Sequence, residues 1–242
     1  MATIIQLQEV DSTNNYLRAL QEKEEQEEGT VVAAYEQSAG RGQRGNTWEA
    51  EAGKNLTFSM IFHPQELMAS DQFIISQLVS TAIKEVLDRY IPDVSIKWPN
   101  DIYYQDKKIG GILIENDLSG YEVFQTIIGI GINVNQDLFL TNAPNPVSMY
   151  QITGEEYDLD KLLNEFASQI YINYLDMLDG AEHEIKEVYK NSLYRRKGMH
   201  AYEDENGIFL AEVVKTESTG HLVLRDSEGI VRRYAFKEVR FV

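Results

Sequence analysis

The sequence has no cysteine, and this absence excludes several kinds of chemistry at once. Without cysteine the chain cannot form a disulfide, a thiolate nucleophile or a cysteine-based zinc site. Histidine is scarce as well, and the four residues are His63, His183, His200 and His221. They stand far apart, without the spacing of metal ligands, and surface positions are the simplest interpretation. We therefore expect no metal site built by protein side chains and no histidine-centred catalytic triad.

Positive charge is also in short supply, with 22 lysines and arginines against 39 acidic residues and a net charge of −17. A field of this sign repels polyanions, so we expect no nucleic acid partner. The sequence has no apolar run near the roughly 18 residues that suggest a membrane span. Its start also lacks the basic and apolar regions of a signal peptide. We expect a cytoplasmic protein without a membrane partner.

Strand patterns dominate the first part of the chain. Residues 4–10 and 30–37 predict strands, and a helix is predicted between them from residues 12–14, which are polar and suit a helix start. Residues 55–62 alternate between apolar and polar side chains. This period of two predicts a strand that is buried on one face.

Helical patterns follow. The clearest helix is expected to begin at a cap, Ser70 or Asp71, and to stop before Pro92. Two more helices are predicted near residues 158–178 and 181–194. Strands with apolar helices between them indicate an α/β (α+β) domain in which helices pack on a mixed sheet.

From Gly198 the pattern changes to short strand-like segments separated by the turn sequences "ENG", "STG" and "SEG". This pattern predicts a small all-β barrel. We therefore divide the chain into a larger domain at residues 1–195 and a small one at residues 196–242.

The segment "GRGQRGNTW", residues 40–48, stands out in so acidic a chain. Its glycines let the backbone approach a ligand, and Arg41 and Arg44 supply planar groups suited to phosphate or carboxylate. A solvated turn with incidental arginines is an equal alternative for the loop taken alone. Trp48 offers a flat face to a base, which favours a ligand site. Polar and charged residues near predicted strand ends favour it too: Lys97, Asn100, Asp101 and Lys108.

Such a set suits the joining of a carboxylate to the α-phosphate of ATP. Two unit charges about 4 Å apart repel by roughly 4 kcal/mol at an effective dielectric constant near 20. A fixed cluster of lysine and arginine offsets that repulsion and stabilises the charge that develops on the departing pyrophosphate.

Four motifs in order carry a resemblance. "DSTN", "EQSAGRGQRGNTW", "KWPNDIYYQDKKIGGILIE" and "IGIGINVN" span residues 11–135 and resemble a biotin protein ligase. The resemblance implies a class II synthetase-like catalytic domain followed by an SH3-like C-terminal domain. "DSTN" begins at residue 11, so we expect a ligase without the N-terminal DNA-binding domain of some members.

The resemblance also implies the reaction and its partners. Biotin and ATP, with Mg²⁺, would give biotinyl-5′-AMP, which acylates one lysine of a biotin carboxyl carrier domain in a biotin-dependent carboxylase. The protein is then a monomer or a homodimer, and the sequence leaves this choice open.

Site roles follow from the same resemblance, residue by residue. The catalytic residues are Lys108, Asp101 and Arg44. The biotin-binding residues are Ser12, Thr13, Asn14, Gln37, Gly40, Arg41, Gly42, Gln43, Lys108, Gly110 and Gly111. The ATP-binding residues are Arg41, Arg44, Trp48, Lys97, Asn100, Gly129, Gly131 and Asn133. Taken singly, Trp48 could be a core residue, Asn133 a turn residue and Asp101 a cap.

Two positions depart from the family pattern. Gln43 stands where the family commonly has an arginine that helps to retain the adenylate, and Asn46 stands where many members have an arginine near the triphosphate. Arg44 is a candidate to compensate for the missing arginine.

Two other functions are alternatives to a biotin protein ligase. The chain could be a lipoate or octanoate ligase or transferase of the same superfamily, or a non-catalytic sensor of biotin or nucleotide.

Overall fold

The computed structural model describes residues 3–139 and 145–242, which contain twelve strands and five helices. The strands are β1 (Ile4–Val10), β2 (Val31–Gln37), β3 (Leu56–Phe62), β4 (Val94–Lys97), β5 (Asp101–Tyr104), β6 (Lys107–Ser119), β7 (Glu122–Ile132), β8 (His200–Asp204), β9 (Gly207–Thr216), β10 (Leu222–Asp226), β11 (Val231–Tyr234) and β12 (Arg240–Phe241). The helices are α1 (Thr13–Lys23), α2 (Phe73–Leu87), α3 (Met149–Thr153), α4 (Leu159–Leu178) and α5 (Glu182–Asn191).

The first seven strands form one mixed sheet in the order β1-β2-β3-β7-β6-β5-β4. Strands β1 and β2 run parallel, and α1 lies between them in the chain. Every other pair of neighbours in this sheet is antiparallel. The long hairpin of β6 and β7 therefore brings the "KKIGGILIE" and "IGIGI" segments side by side.

Helices cover both faces of this sheet. Val31 of β2 belongs to the main core, to which α2, α4 and α5 contribute. Its neighbour Val32 points the other way and packs with Leu17 of α1. Strand β3 is consequently buried at all seven positions. The prediction of a half-buried strand at residues 55–62 was wrong, because α1 shields the face that the alternation left to solvent.

The predicted helices are present with altered ends. Helix α2 begins at Phe73 with Gln72 as its N-cap residue, and no side chain caps it. The expected cap at Ser70 or Asp71 was wrong, because these two residues lie in a separate 3-10 turn. There the Ser70 hydroxyl donates to the Asp71 carboxylate at 2.9 Å. Helix α2 ends at Leu87, well before Pro92.

The remaining strands form a second, antiparallel sheet in the order β11-β10-β9-β8-β12. Its core contains Tyr202, Ala211, Leu222 and Leu224, which are fully buried. The predicted fold class, a mixed sheet with packed helices followed by a small all-β unit, is confirmed. The boundary between residues 195 and 196 stays a prediction. Within the described ranges, no helix is both long and apolar enough to cross a membrane.

Candidate active site

The floor of the site is a row of residues that runs across the first sheet. Strand register places Gly131 of β7 beside Gly111 of β6, and Gly111 beside Asp101 of β5. Lys97 of β4 pairs with Asp101. Paired residues in register project from the same face of a sheet. The two glycines thus expose bare backbone, and the carboxylate and the ammonium stand beside it.

Trp48 lies on that bare backbone. A Cβ atom on Gly131 would come within 2.3 Å of the indole, and one on Gly111 within 3.3 Å. The ring is half-buried against the sheet, outside the hydrophobic core. Its Nε1–H is buried, and among the described residues it has no hydrogen-bond acceptor. Buried polar groups are nearly always paired in folded proteins, so this unpaired N–H is an exception within the described chain.

The arginine loop, residues 40–48, folds back on itself. The Gly42 N–H donates to the Asn46 carbonyl at 2.7 Å, and the Trp48 N–H donates to the Gly40 carbonyl at 2.9 Å. A Cβ atom on Gly40 would lie 2.2 Å from the Trp48 carbonyl oxygen. Glycine at this position therefore permits the close approach that seats Trp48 on the sheet.

A polar cluster forms one end of the site, where α1 begins. The backbone N–H and the hydroxyl of Thr13 both lie within hydrogen-bond distance of Gln37 Oε1, at 2.8 and 3.1 Å. The Ser59 hydroxyl is 2.7 Å from Thr13 Oγ1 and 2.6 Å from Asn14 Oδ1. Ser12 is the N-cap residue of α1, as expected, but its side chain makes no capping hydrogen bond. Hydroxyl and amide groups are thus concentrated at the helix start.

Lys108 and Asp101 form the charged centre of the site. The Lys108 Nζ lies 2.7 Å from Asp101 Oδ1 and 5.7 Å from the centroid of the Trp48 ring. The Lys108 main chain is fixed on both sides, because its N–H donates to the Asn145 carbonyl and its carbonyl accepts from the Val147 N–H. The ammonium group is therefore held beside both a carboxylate and an aromatic face.

Lys97 lies in an aromatic surround. Its Nζ donates to the Tyr103 hydroxyl at 2.9 Å, and it stands 5.2 Å from the ring centroid of Phe241 and 5.9 Å from that of Tyr194. Burial lowers the pKa of Lys97, and the nearby Asp101 carboxylate opposes that shift. The result is a partly desolvated cation at the edge of the floor.

The second sheet supplies a wall that sequence reasoning missed. The Trp98 Nε1–H donates to the Gly220 carbonyl at 2.9 Å, and the Trp98 ring meets the Phe236 ring edge to face. The wall residues from this part of the chain are Phe236, Lys237, Val239, Arg240 and Phe241. These contacts exist only because the two sheets pack together. Lys237 and Arg240 are two of 22 lysines and arginines in the chain, so nothing in the sequence marked them as part of a site.

These elements enclose a cavity of about 610 Å³, within the range usual for small-molecule sites. Among the described residues that line it, five are cationic and Asp101 alone is acidic. The cationic residues are Arg41, Lys97, Lys108, Lys237 and Arg240. The cavity thus reverses the charge of the chain as a whole and suits an anionic ligand.

The structure brings most of the predicted site residues to this cavity. Those that line it are Ser12, Thr13, Asn14, Gln37, Arg41, Gly42, Gln43, Trp48, Lys97, Asn100, Asp101, Lys108, Gly111, Gly129 and Gly131. The side chain of Arg44 lies outside the described part of the chain.

Three predicted residues lie behind the cavity wall. Gly40 sits at the base of the loop. Gly110 faces the core, where a Cβ atom would lie 2.7 Å from the Ile132 side chain. The Asn133 amide donates to the Val147 carbonyl at 3.1 Å and is buried. In this structure the three residues support the wall.

Comparison with known proteins agrees with this geometry. The Biotin/lipoate A/B protein ligase family matches residues 7–133. The bifunctional ligase/repressor BirA of Bacillus spizizenii is 31% identical over 214 residues, which cover 86% of this chain and 65% of that protein. The biotin–[acetyl-CoA-carboxylase] ligase of Paracoccus denitrificans is 32% identical over 142 residues, covering 56% of this chain and 59% of that protein. The matches thus span less than two thirds of the length of these relatives.

Solved structures extend the likeness to both sheets. The biotin protein ligase from Aquifex aeolicus in complex with biotin and ATP has a TM-score of 0.82 at 28% identity, covering 100% of both chains. The biotin protein ligase from Leishmania major in complex with biotinyl-5-AMP has a TM-score of 0.63 at 26% identity, covering 96% of this chain and 98% of that chain.

The fold and the site define the class: an α/β protein with a cation-lined cavity on the glycine floor of a mixed sheet, suited in charge to an anionic small molecule. Since the family match covers more than half of the sequence, the chain belongs to the Biotin/lipoate A/B protein ligase family. The resemblance to biotin protein ligases drawn from the four sequence motifs is confirmed.

Proposed function

We propose that this protein joins biotin to a carrier protein in two steps, with MgATP as a substrate. Biotin and ATP first give biotinyl-5′-AMP and pyrophosphate. The biotinyl group then passes to one lysine of a biotin carboxyl carrier domain. The observation that carries the proposal is the place of Lys108, whose ammonium lies in the cavity beside both Asp101 and the ring of Trp48.

In the first step a carboxylate oxygen of biotin attacks the α-phosphorus of ATP. A carbon–oxygen–phosphorus link forms, the bond from the α-phosphorus to the bridging oxygen breaks, and pyrophosphate leaves with the electron pair. Two anions must meet, at a cost of roughly 4 kcal/mol for unit charges about 4 Å apart at a dielectric constant near 20. Lys108 offsets this repulsion, and Lys97 and Arg41 add positive charge to the same cavity. Preorganised cations of this kind also stabilise the transition state.

The polar cluster at the start of α1 suits the ureido ring of biotin. That ring offers one carbonyl acceptor and two N–H donors. Ser12 and Thr13 provide hydroxyls that donate or accept, and Asn14 and Gln37 provide amides that do both. The cluster therefore matches a neutral head group and leaves the charged tail of biotin to the cations.

Trp48 suits the adenine ring. Its indole supplies a flat aromatic face on the glycine floor, and offset stacking is favourable for such rings. Lys97 and Asn100 border the same cavity, on the side of the phosphates.

In the second step the neutral amine of the carrier lysine attacks the acyl carbon of the adenylate. An amide bond forms, the bond from the acyl carbon to the phosphate oxygen breaks, and AMP leaves with the electron pair. The amine must lose a proton. Asp101, the one carboxylate among the described lining residues, is suited to orient the incoming neutral amine and to receive the proton that it loses after attack.

The named relatives support biotin as the acyl substrate, since the Paracoccus relative is a biotin ligase and the Aquifex structure contains biotin and ATP. The family also includes lipoate ligases, so the test compares acids directly. ATP–pyrophosphate exchange is measured with biotin, lipoate or octanoate, and biotin carboxyl carrier domains are then examined by mass spectrometry. We expect exchange with biotin and one biotinyl group on a single lysine. If pyrophosphate exchange occurs only with lipoate or octanoate, that acid and not biotin is the substrate. If biotin binds but supports no exchange, the protein is a sensor.

A further inference from the structure

Glu115 lies on β6 just outside the cavity wall. It projects from the same face of the strand as Gly111. One of its carboxylate oxygens accepts from Asn14 Nδ2 at 3.0 Å, and the other accepts from Arg41 Nη2 at 2.7 Å. Asn14 and Arg41 both line the cavity, whereas Glu115 does not. A single carboxylate thus joins the start of α1 to the arginine loop from behind.

This carboxylate sets the direction of a chain of hydrogen bonds. An ionised carboxylate only accepts, so Asn14 turns its Nδ2 toward Glu115 and its Oδ1 toward Ser59. The Ser59 hydroxyl has one proton, which it must give to Asn14 Oδ1 at 2.6 Å. The Ser59 oxygen is then left as an acceptor toward Thr13 Oγ1 at 2.7 Å. The Thr13 hydroxyl then faces two acceptors, Ser59 Oγ and, at 3.1 Å, Gln37 Oε1, so its single proton is directed into the cluster by a residue that lies two side chains away.

The Asn14 amide is held in place by close packing. A Cβ atom on Gly129 would lie 2.3 Å from Asn14 Oδ1, so the amide rests directly on the backbone of β7. In this position Asn14 Nδ2 and Oδ1 can exchange places only if the whole amide group rotates by half a turn. A flip would set Oδ1 against the Glu115 carboxylate, two acceptors with no proton between them. Glu115 thereby excludes the reversed arrangement.

Arg41 is held from two sides. Its Nη2 donates to Glu115, and its Nη1 donates to Asn15 Oδ1 at 2.7 Å. Asn15 in turn donates to the Asp11 carboxylate at 3.0 Å. The guanidinium is consequently fixed between β6 and the start of α1, and this fixes the point where the arginine loop enters the cavity.

We propose that Glu115 is a positioning residue of the biotin site. It determines which groups of Asn14 and Thr13 donate and accept toward the ligand head group, and it anchors the loop through Arg41. The inference rests on the proposed function, because it assigns the polar cluster to a ligand with both donors and an acceptor. Glu115 acts through its neighbours, without touching the ligand.

The test replaces Glu115 with glutamine, which keeps the size of the side chain and removes its charge. A neutral amide both donates and accepts, so the Asn14 amide and the Ser59 hydroxyl can reverse. The matched control is Asp117→Asn. Asp117 lies two residues further along β6 and accepts from Arg18 and from Gln125, both at 2.6 Å. The control removes the same charge away from the cavity wall.

Biotin affinity is measured by calorimetry without ATP, and the KM values for biotin and ATP are measured in pyrophosphate exchange. We expect Glu115→Gln to weaken biotin binding about tenfold, the equivalent of about 1.4 kcal/mol, with a smaller change in the KM for ATP. Asp117→Asn should bind biotin as the unaltered protein does. Equal biotin affinity in Glu115→Gln and the unaltered protein, or an equal loss in both variants, would overturn the inference.

Ser59→Ala gives a second reading that does not depend on how Glu115→Gln folds. It removes one buried oxygen at the centre of the same chain of hydrogen bonds, and Ser59 does not line the cavity. We expect Ser59→Ala to raise the KM for biotin. The double variant, Glu115→Gln with Ser59→Ala, should have a KM for biotin no higher than that of the more impaired single variant, because the effects of coupled residues are not additive. Independent, multiplying effects would contradict the inference. If the unaltered protein fails to bind biotin at all, the proposed function fails instead.

Discussion

Trp48 rests on Gly131 with no side chain between them, so that a single Cβ atom on the strand would come within 2.3 Å of the indole. A Cβ atom on Gly111 would lie 3.3 Å from the same ring. The first distance is a severe overlap, and the second is a tight contact that a small shift relieves. The two glycines therefore differ in how strongly they determine the place of the ring.

Gly131→Ala should displace Trp48 and raise the KM for ATP, because the proposed adenine surface moves. Overpacking of this kind costs about 1–3 kcal/mol, and the same cost in ATP binding would correspond to about fivefold or more in affinity. Gly111→Ala is the graded comparison and should have the smaller effect. Steady-state kinetics with varied ATP, together with indole fluorescence, measure both. An equal KM for ATP in the two variants and the unaltered protein would remove Trp48 from the nucleotide site.

Lys108→Ala should nearly abolish adenylate formation and leave the fold intact. The variant loses the ammonium at the point where two anions meet, and one preorganised transition-state contact is worth about 10² to 10³ in rate. Lys107→Ala is the control, since Lys107 is the exposed neighbour on the same strand. Biotin-dependent pyrophosphate exchange measures the effect. Near-normal exchange in Lys108→Ala would exclude the catalytic role.

The lowered pKa of Lys97 predicts a pH dependence. Burial favours loss of its proton at a lower pH than in an ordinary lysine, whose pKa is 10.5. Phosphate groups bind the charged form, so kcat/KM for ATP should fall as the pH rises through the lowered pKa. Between that pKa and 10.5 the unfolded chain binds more protons, so this group makes the free energy of unfolding rise with pH.

Lys97→Arg keeps the positive charge at all accessible pH values. The alkaline fall in kcat/KM for ATP should therefore move to higher pH in this variant. Pyrophosphate exchange across the alkaline range measures both proteins. An alkaline fall at the same pH in both would assign that titration to another group.

The next prediction concerns how the arginine loop retains biotinyl-5′-AMP, given that residue 43 is a glutamine. Its neutral amide can donate hydrogen bonds but lacks the charge-assisted fork of an arginine, whose bonds to anions are about twice as strong. If Arg44 has taken this role, Arg44→Gly should release biotinyl-5′-AMP, while Gln43→Gly changes the release only modestly. If neither arginine of the loop compensates, Gln43→Arg should slow the release. Adenylate off-rates separate these cases, and slow release that is unchanged in Arg44→Gly would assign retention to another group.

The sequence motifs, together with the family that they resemble, named most of the residues that the structure places around the cavity. The glycines, the arginine loop and the "KWPND" segment carry their chemistry within a few residues, and fifteen of the predicted residues line the cavity. Their alignment depends on strand pairing. The register that sets Asp101 beside Gly111, and Gly111 beside Gly131, joins three separate segments. No single segment carries that information.

The parts that were missed depend on contacts between distant segments. Ser59 alternates with apolar residues in β3, and nothing in that pattern marks the hydroxyl that meets Asn14. Glu115 ends a recognised motif, yet its partners come from the helix start and the arginine loop. The wall from the second sheet forms only where the two sheets pack together. In each case tertiary contact decided the role of the residue.

The wall that includes Phe241 also determines when the cavity is completed. Lys97 and the whole first sheet are synthesised well before Phe241, which later covers the lysine at 5.2 Å. Domains generally fold in order as they leave the ribosome. The sheet, its glycine floor and the arginine loop can therefore form while the side of the cavity at Lys97 is still open to water. The complete cavity is one of the last things the nascent chain acquires, and a chain that stops before Phe236 has the floor without its far wall.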